Sequence, residues 1–153
     1  MYYPDPAAAL GKLARVTRRG GIIAFQELDI RGATAFSPAP LMAKCVGWIG
    51  SVLQEAGANI HMGTRLHASF VAAGLPAPTL RLDTAIGAGR GHPAYAAMSH
   101  LVRTVLPQLE RLGLATMAEM QIESLRDRLE EEVAASGGVI TMPALIGAWS
   151  RIP

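Results

Sequence analysis

The sequence predicts an α/β protein in which helices cover a small sheet. Two runs, 20–27 and 144–149, are almost wholly apolar, which is typical of strands in the middle of a helix-covered parallel sheet. A third run, 79–86, alternates apolar and polar residues, which favours a half-exposed edge strand. The 153 residues have room for one domain with a substantial core.

The net charge, the apolar runs and the cysteine count argue against several classes of protein. The formal net charge is +2 and the basic residues are scattered, which argues against a nucleic-acid partner. No apolar run reaches the roughly 18 residues of a membrane span, and the first residues lack the ordered regions of a signal peptide. The single cysteine, Cys45, excludes an internal disulfide and is typical of a reducing compartment. We therefore predict a cytoplasmic protein without a membrane partner.

Caps and glycines mark the predicted helices. Asp5 and Pro6 are an N-cap and a first helical residue for a helix that ends before Gly20-Gly21. Thr116 and Glu119 form a capping box for another helix, which ends before 136–138. Apolar periodicity predicts three more helices, over 38–56, 64–73 and 93–112. Pro107 predicts a kink or break in the last of these helices.

A glycine-rich run, 87–91, follows a strand and precedes a helix. Such loops can bind phosphates at a helix N-terminus. The strand before it reads as an edge strand, and no later strand ends in an acidic residue that would bind a ribose. A glycine-rich turn bordering a substrate pocket is therefore favoured, and a nucleotide loop is the alternative.

Histidine spacing does not indicate a metal site. Separations of six and eight residues do not place two ligands on one helix face. One histidine acting as a general base near a pocket remains open; the four are His61, His67, His92 and His100. Cys45 lies on the apolar face of a predicted helix, so we expect a core residue rather than a nucleophile.

Carboxylates follow the first apolar strand, where Glu27 and Asp29 lie at its carboxyl end. Open α/β sheets bind ligands at that edge. Tyr2, Tyr3 and Pro4 share the edge if 1–3 is the end of another strand. These five residues are the best pocket candidate in the sequence, and polar loop groups or helix caps are the alternative interpretation.

The runs 3–6, 10–16 and 18–27 resemble the second half of class I S-adenosylmethionine-dependent methyltransferases. In that family a strand ends beside the cofactor, a helix follows, and a Lys-Pro-Gly-Gly-like turn opens the next strand. Here Thr17-Arg18-Arg19-Gly20-Gly21 stands at the turn. Later parts of the chain are similar to the small-molecule members of the family, at Arg65-Leu66, Phe70, 73–76, Leu106-Pro107, Glu110, Gly113 and 148–151.

The resemblance implies a single domain, 1–153, with a partial Rossmann-like methyltransferase sheet: the last three strands, the final one antiparallel. Helical insertions at about 38–56 and 92–135 would form a substrate lid. S-adenosylmethionine is the implied cosubstrate and a small organic molecule the implied acceptor, with catalytic residues unassigned and no metal. Implied cofactor contacts are Tyr2, Tyr3 and Pro4, and implied substrate contacts are Glu27, Asp29, Trp48, Arg90, His92 and Tyr95.

The family's glycine-rich cofactor loop, and the acidic residue that binds the ribose, would lie before Met1. We therefore expect a C-terminal portion of a methyltransferase, either from a truncated reading frame or with a partner chain that supplies the first half. A second copy or a partner chain would cover the open edge of the strand at 22–25. The alternative is a non-enzymatic binding or assembly module derived from a methyltransferase.

Overall fold

A computed structural model describes residues 3–36 and 38–153, which form two compact units. Unit 1 contains the described residues up to Asp29, with Gly57–Asp83 and Ala144–Pro153. Unit 2 contains the described residues of Ile30–Ala56 and Thr84–Pro143. Both segments predicted as helical insertions, 38–56 and 92–135, therefore belong to unit 2.

The described residues are α/β, with five helices of 11 or more residues, one short helix and two antiparallel three-stranded sheets. The helices are α1 (Pro6–Val16), α2 (Pro40–Glu55), α3 (Met62–Ala72), α4 (Pro93–Arg111), α5 (Met117–Met120) and α6 (Leu125–Ala135). The strands are β1 (Ile22–Asp29), β2 (Thr34–Ala35), β3 (Thr79–Asp83), β4 (Ile86–Ala88), β5 (Val139–Thr141) and β6 (Ala144–Arg151). None of these helices has the length and apolar character needed to cross a bilayer.

In unit 1, β6 lies between β1 and β3 and is antiparallel to both, so β1 and β3 run in the same direction. Ala148 marks the register, because it is paired with Phe25 on one side and with Leu80 on the other. Helices α1 and α3 cover one face of this sheet and complete a core of Leu10, Ile23, Met62, Leu66, Phe70, Ile146 and Ala148.

The apolar run of β6 occupies the centre of its sheet, as the sequence predicts. β1 lies at an edge of the described sheet and pairs with the antiparallel final strand, β6, which agrees with the open edge expected at 22–25. Within the described residues, the predicted cover on both faces of β1 is absent. Ile23 points into the core and is 5% exposed, whereas Ile22 points to the other face and is 55% exposed. The apolar composition of β1 thus does not reflect burial on both faces.

The predicted strand at 79–86 is two strands in two different sheets, β3 and β4. Between them the Thr84 hydroxyl donates to the carbonyl of Met142 at 2.7 Å, and the Met142 amide donates to Ala85. All five residues of β3 are exposed, so the predicted half-burial is absent. Tyr3 belongs to no strand, and the rest of the strand end predicted at 1–3 lies outside the described residues.

Side-chain carboxylates shape unit 2. Glu132 of α6 accepts hydrogen bonds from the amides of Leu41 and Met42 at 3.1 and 3.3 Å, so it caps α2, whose N-cap residue has no side-chain hydrogen bond. The predicted capping box of Thr116 and Glu119 is confirmed. Its helix ends after four residues, because Gln121 takes a left-handed conformation with φ 47°, and α6 follows as a separate helix.

Glycine is required where α3 lies on β1. A Cβ at Gly63 would be 2.9 Å from the Glu27 carbonyl oxygen and 3.0 Å from Ile146 Cδ1. A Cβ at Gly11 of α1 would meet nothing within 4 Å. The first turn of α3 therefore approaches β1 more closely than a side chain permits.

We expect Gly63→Ala to lower the free energy of unfolding by about 1–3 kcal/mol, because the backbone of β1 cannot move away from the new methyl group. Gly11→Ala is the matched control. It should raise the stability by about 0.5–1 kcal/mol, through helix propensity alone. Urea unfolding followed by circular dichroism measures both changes, and equal effects would contradict the close contact.

Candidate functional site

A cleft in unit 1 opens between α1, β1 and α3. We call it the Tyr3 cleft, because Tyr3 lines each of three adjoining cavities that the described residues form there. The inner cavity has a volume of about 30 Å³, enough for about two water molecules. Its walls are apolar except for one carboxylate, and they include Pro6, Leu10, Phe25, Glu27, Met62 and Leu66.

The two outer cavities are larger and open to solvent, with volumes of about 440 and 400 Å³. The first runs along α1 and α3, and its polar groups include Asn59, Arg65 and Ser69. The second runs along α1 and β1, where Lys12 contributes a cation. The cleft thus combines an apolar interior, one inner carboxylate and cationic side chains at its rims, a composition suited to a small amphiphilic molecule.

The chain enters the cleft through a capped helix N-terminus. Asp5 Oδ1 accepts a hydrogen bond from the Ala8 amide at 2.9 Å, and Pro6 opens α1, as the sequence predicts. The cap holds the segment before α1 against the cleft, where Tyr3 and Pro4 are exposed wall residues. Tyr3 is 67% exposed. Because the carboxylate of Asp5 already occupies this N-terminus, the helix end is not a free anion site.

Asp29 is the last residue of β1 and is 3% exposed. Its Oδ2 accepts from the Thr64 hydroxyl at 2.8 Å, and its Oδ1 lies 3.3 Å from His61 Nδ1. The backbone of His61 is also fixed, because its amide donates to Asn59 Oδ1 at 3.0 Å. We call Asp29, His61 and Thr64 the Asp29 cluster.

The structure brings part of the predicted site together in unit 1. Tyr3, Pro4 and Glu27 all line the Tyr3 cleft, and Asp29 follows Glu27 by two residues on the same strand. Tyr2 lies outside the described residues. The sequence did not predict the contact between Asp29 and His61. His61 was one of four histidines considered as metal ligands, and any one of the four was left open as a general base. An acidic strand end and a histidine just before a helix could have indicated the pair.

The remaining predicted substrate residues belong to unit 2, where two of them are core residues. Trp48 is buried in α2 with Lys44 Nζ 5.1 Å from its ring centroid, a cation–π contact. Tyr95 is fully buried, and burial, with a smaller contribution from Glu130, raises the pKa of its hydroxyl. The other two, Arg90 and His92, are accessible in part.

The glycine-rich run 87–91 is held by carboxylates and by one tyrosine. Gly91 donates its amide to Glu130 at 3.1 Å, Arg90 forms an ion pair with Glu131, and the Tyr95 hydroxyl donates to the Gly89 carbonyl. A phosphate here would meet two carboxylates and would find the Gly91 amide occupied. These contacts argue against the nucleotide alternative and favour a glycine-rich turn.

Cys45 is a core residue, as the sequence predicts. Burial raises the pKa of its thiol from 9.0 to about 12, and the cation of Arg128 offsets this only in part. Because the thiolate is the reactive form, a thiol with this pKa is unreactive near neutral pH. Cys45 therefore has no role as a nucleophile in the folded chain.

We expect Cys45 to react with a thiol reagent at pH 8 at least about 100-fold more slowly in the folded chain than in urea, since three pKa units remove about a thousandfold of the thiolate. The double variant Cys45→Ala/Ala43→Cys is the control, because it moves the thiol to an exposed position on α2. Fast labelling of the folded wild-type chain would contradict the burial of Cys45.

The chain matches no protein-family model, and no curated protein matches it significantly. What unit 1 can bind or catalyse is therefore argued from its own side chains. The Tyr3 cleft offers an apolar surface with charged groups at defined places, and the Asp29 cluster offers a hydrogen-bonded imidazole. Binding a small organic molecule and accepting a proton from it are both within reach of these groups.

Proposed function

We propose that this chain takes part in methyl transfer from S-adenosylmethionine to a small organic acceptor, with the Tyr3 cleft as its part of the site. The observation that carries the proposal is the strand arrangement of unit 1. After a helix and the Gly20-Gly21 turn comes β1, and the final strand, β6, is antiparallel to both β1 and β3. This is the arrangement that the resemblance implies for the last three strands of a Rossmann-like methyltransferase sheet.

Methyl transfer requires the donor and the acceptor to be aligned, more than it requires reactive side chains. The acceptor attacks the methyl carbon in line with the breaking C–S bond, and sulfur keeps the electron pair as a neutral thioether. Tyr3 and Pro4 would lie at the junction of cofactor and acceptor, and the Glu27 carboxylate would face the cationic donor.

The resemblance implies acceptor contacts at Arg90 and His92, which belong to unit 2. Arg90 is an exposed residue of the glycine-rich run 87–91, and His92, which directly follows this run, is half-buried. Trp48 and Tyr95 are buried, which supports a role in shaping this unit rather than direct contact with the acceptor.

A binding or assembly module is the second candidate, and the surface of the unit 1 sheet favours it. Within residues 3–36 and 38–153, no strand pairs with the second edge of β1. On the face opposite α1 and α3, β1 and β6 expose the apolar side chains of Ile22, Leu145 and Trp149. Trp149 is paired with Ala24 and is a diagonal neighbour of Ile22. Edges and faces of this kind are pairing surfaces, so a second copy or a partner chain would cover them.

Titration calorimetry with S-adenosylmethionine and a radiolabelled methyl-transfer assay test the proposal. Both are run on the 153-residue chain and on the chain extended by the coding sequence directly upstream. We expect Glu27→Gln and Tyr3→Ala to lower kcat/KM about tenfold to a hundredfold, because each disturbs alignment in the cleft. Glu55→Gln, at an exposed position of α2, is the control and should have no effect.

Unchanged rates in both cleft variants would refute the assignment of the cleft. Absence of S-adenosylmethionine binding in both forms would refute methyl transfer and favour the assembly module. Sedimentation of the wild-type chain beside Trp149→Ser would then show whether the exposed sheet face mediates association.

A further inference from the structure

The Asp29 cluster fixes an imidazole at the carboxyl end of β1. The carboxylate of Asp29 is buried, whereas the side chain of His61 remains 39% exposed. The contacts that restrain this pair include the Thr64 hydroxyl on Asp29, the carboxylate on the imidazole, and Asn59 on the His61 amide. The ring is thus held on its inner side and open on its outer side.

The contact with Asp29 also selects one tautomer of the ring. A carboxylate accepts hydrogen bonds and cannot donate them, so Nδ1 carries the hydrogen and Nε2 carries the lone pair. No residue in the described part of the chain hydrogen-bonds Nε2. A lone pair on an exposed, oriented imidazole nitrogen is the structural requirement for a general base.

The position of the ring relates it to the Tyr3 cleft. His61 directly precedes α3, and its neighbours Asn59 and Met62 line the cleft. Glu27, which lines the inner cavity, is two residues from Asp29 on β1. The close approach of Gly63 to the Glu27 carbonyl holds the first turn of α3 against that strand, so the ring lies at the end of the strand that forms the cleft wall.

We propose that His61 accepts the proton of the methyl acceptor and that Asp29 is its positioning residue, an inference that rests on the proposed function. As the bond from acceptor to methyl forms and the C–S bond breaks, sulfur keeps the electron pair and the acceptor proton moves to His61 Nε2. The imidazolium then faces the buried carboxylate, which stabilises its charge. The substrate class is therefore a protic acceptor that must lose an O–H or N–H proton.

A purely structural role for the cluster makes a different prediction. In that case Asp29 and Thr64 only tie β1 to α3, and the ring of His61 is dispensable. Within residues 3–36 and 38–153, Asp29 is the one acidic group within 4 Å of the ring. The nearest charged residues along the chain are Arg65 and Glu55, four and six positions from His61, and Glu27 and Arg31, each two positions from Asp29.

The experiment measures methyl transfer against pH for the wild type, His61→Gln and Asp29→Asn. We expect His61→Gln to lower kcat about 10²–10⁴-fold with little change in KM, and to abolish the loss of rate at acidic pH. Asp29→Asn should give a smaller loss. His67→Gln, at an exposed position of α3, is the matched control and should behave as the wild type.

A second readout needs no activity. Long-range ¹H–¹⁵N NMR of the wild-type chain at pH 8 should show the hydrogen of the His61 ring on Nδ1, and Asp29→Asn should abolish that preference. If the wild type transfers methyl groups and His61→Gln does so equally fast with the same pH profile, the base assignment is overturned and the proposed function stands. If no form transfers methyl groups, both fail.

Discussion

The contact between the first turn of α3 and the carboxyl end of β1 is the constraint on which unit 1 depends. Gly63 lets the two backbones approach, and Asp29 fastens the helix through Thr64. Because the same helix turn begins one residue after His61, this contact also sets where an ionisable ring can lie. The residues that pack α3 on β1 therefore also position the imidazole of His61, so a substitution that changes this packing also moves the ring.

Local signals in the sequence predicted local structure well. The Asp5 cap, the capping box of Thr116 and Glu119 and the burial of Cys45 each depend on residues within one helix or on one apolar face, and the structure has all three. The site was predicted only in part, because its contacts join residues that are distant in the sequence. Glu27 and Asp29 could be placed at a strand end, whereas the bond between Asp29 and His61 joins positions 32 residues apart.

Sheet partners were the least predictable feature. The apolar runs of β1 and β6 look alike, yet β6 has two neighbours and β1 has one among the described strands. An apolar sequence indicates that part of a strand is buried, but it does not indicate how many strands pair with it. The prediction for the run 79–86 was wrong because the chain passes from one sheet to another within it. At that point the Thr84 hydroxyl donates to the Met142 carbonyl, and the Met142 amide donates to the Ala85 carbonyl.

The central place of β6 has a consequence for the order in which unit 1 assembles. Among the described strands, β1 and β3 do not pair with each other, and each of them pairs with β6. A hydrogen bond from Arg151 to the Gly20 carbonyl spans 131 positions. During synthesis the residues of unit 2 are therefore complete before the sheet of unit 1 can close. Such non-local pairing is slow, and β1 and β3 cannot reach β6 before residues 144–151 have been synthesised.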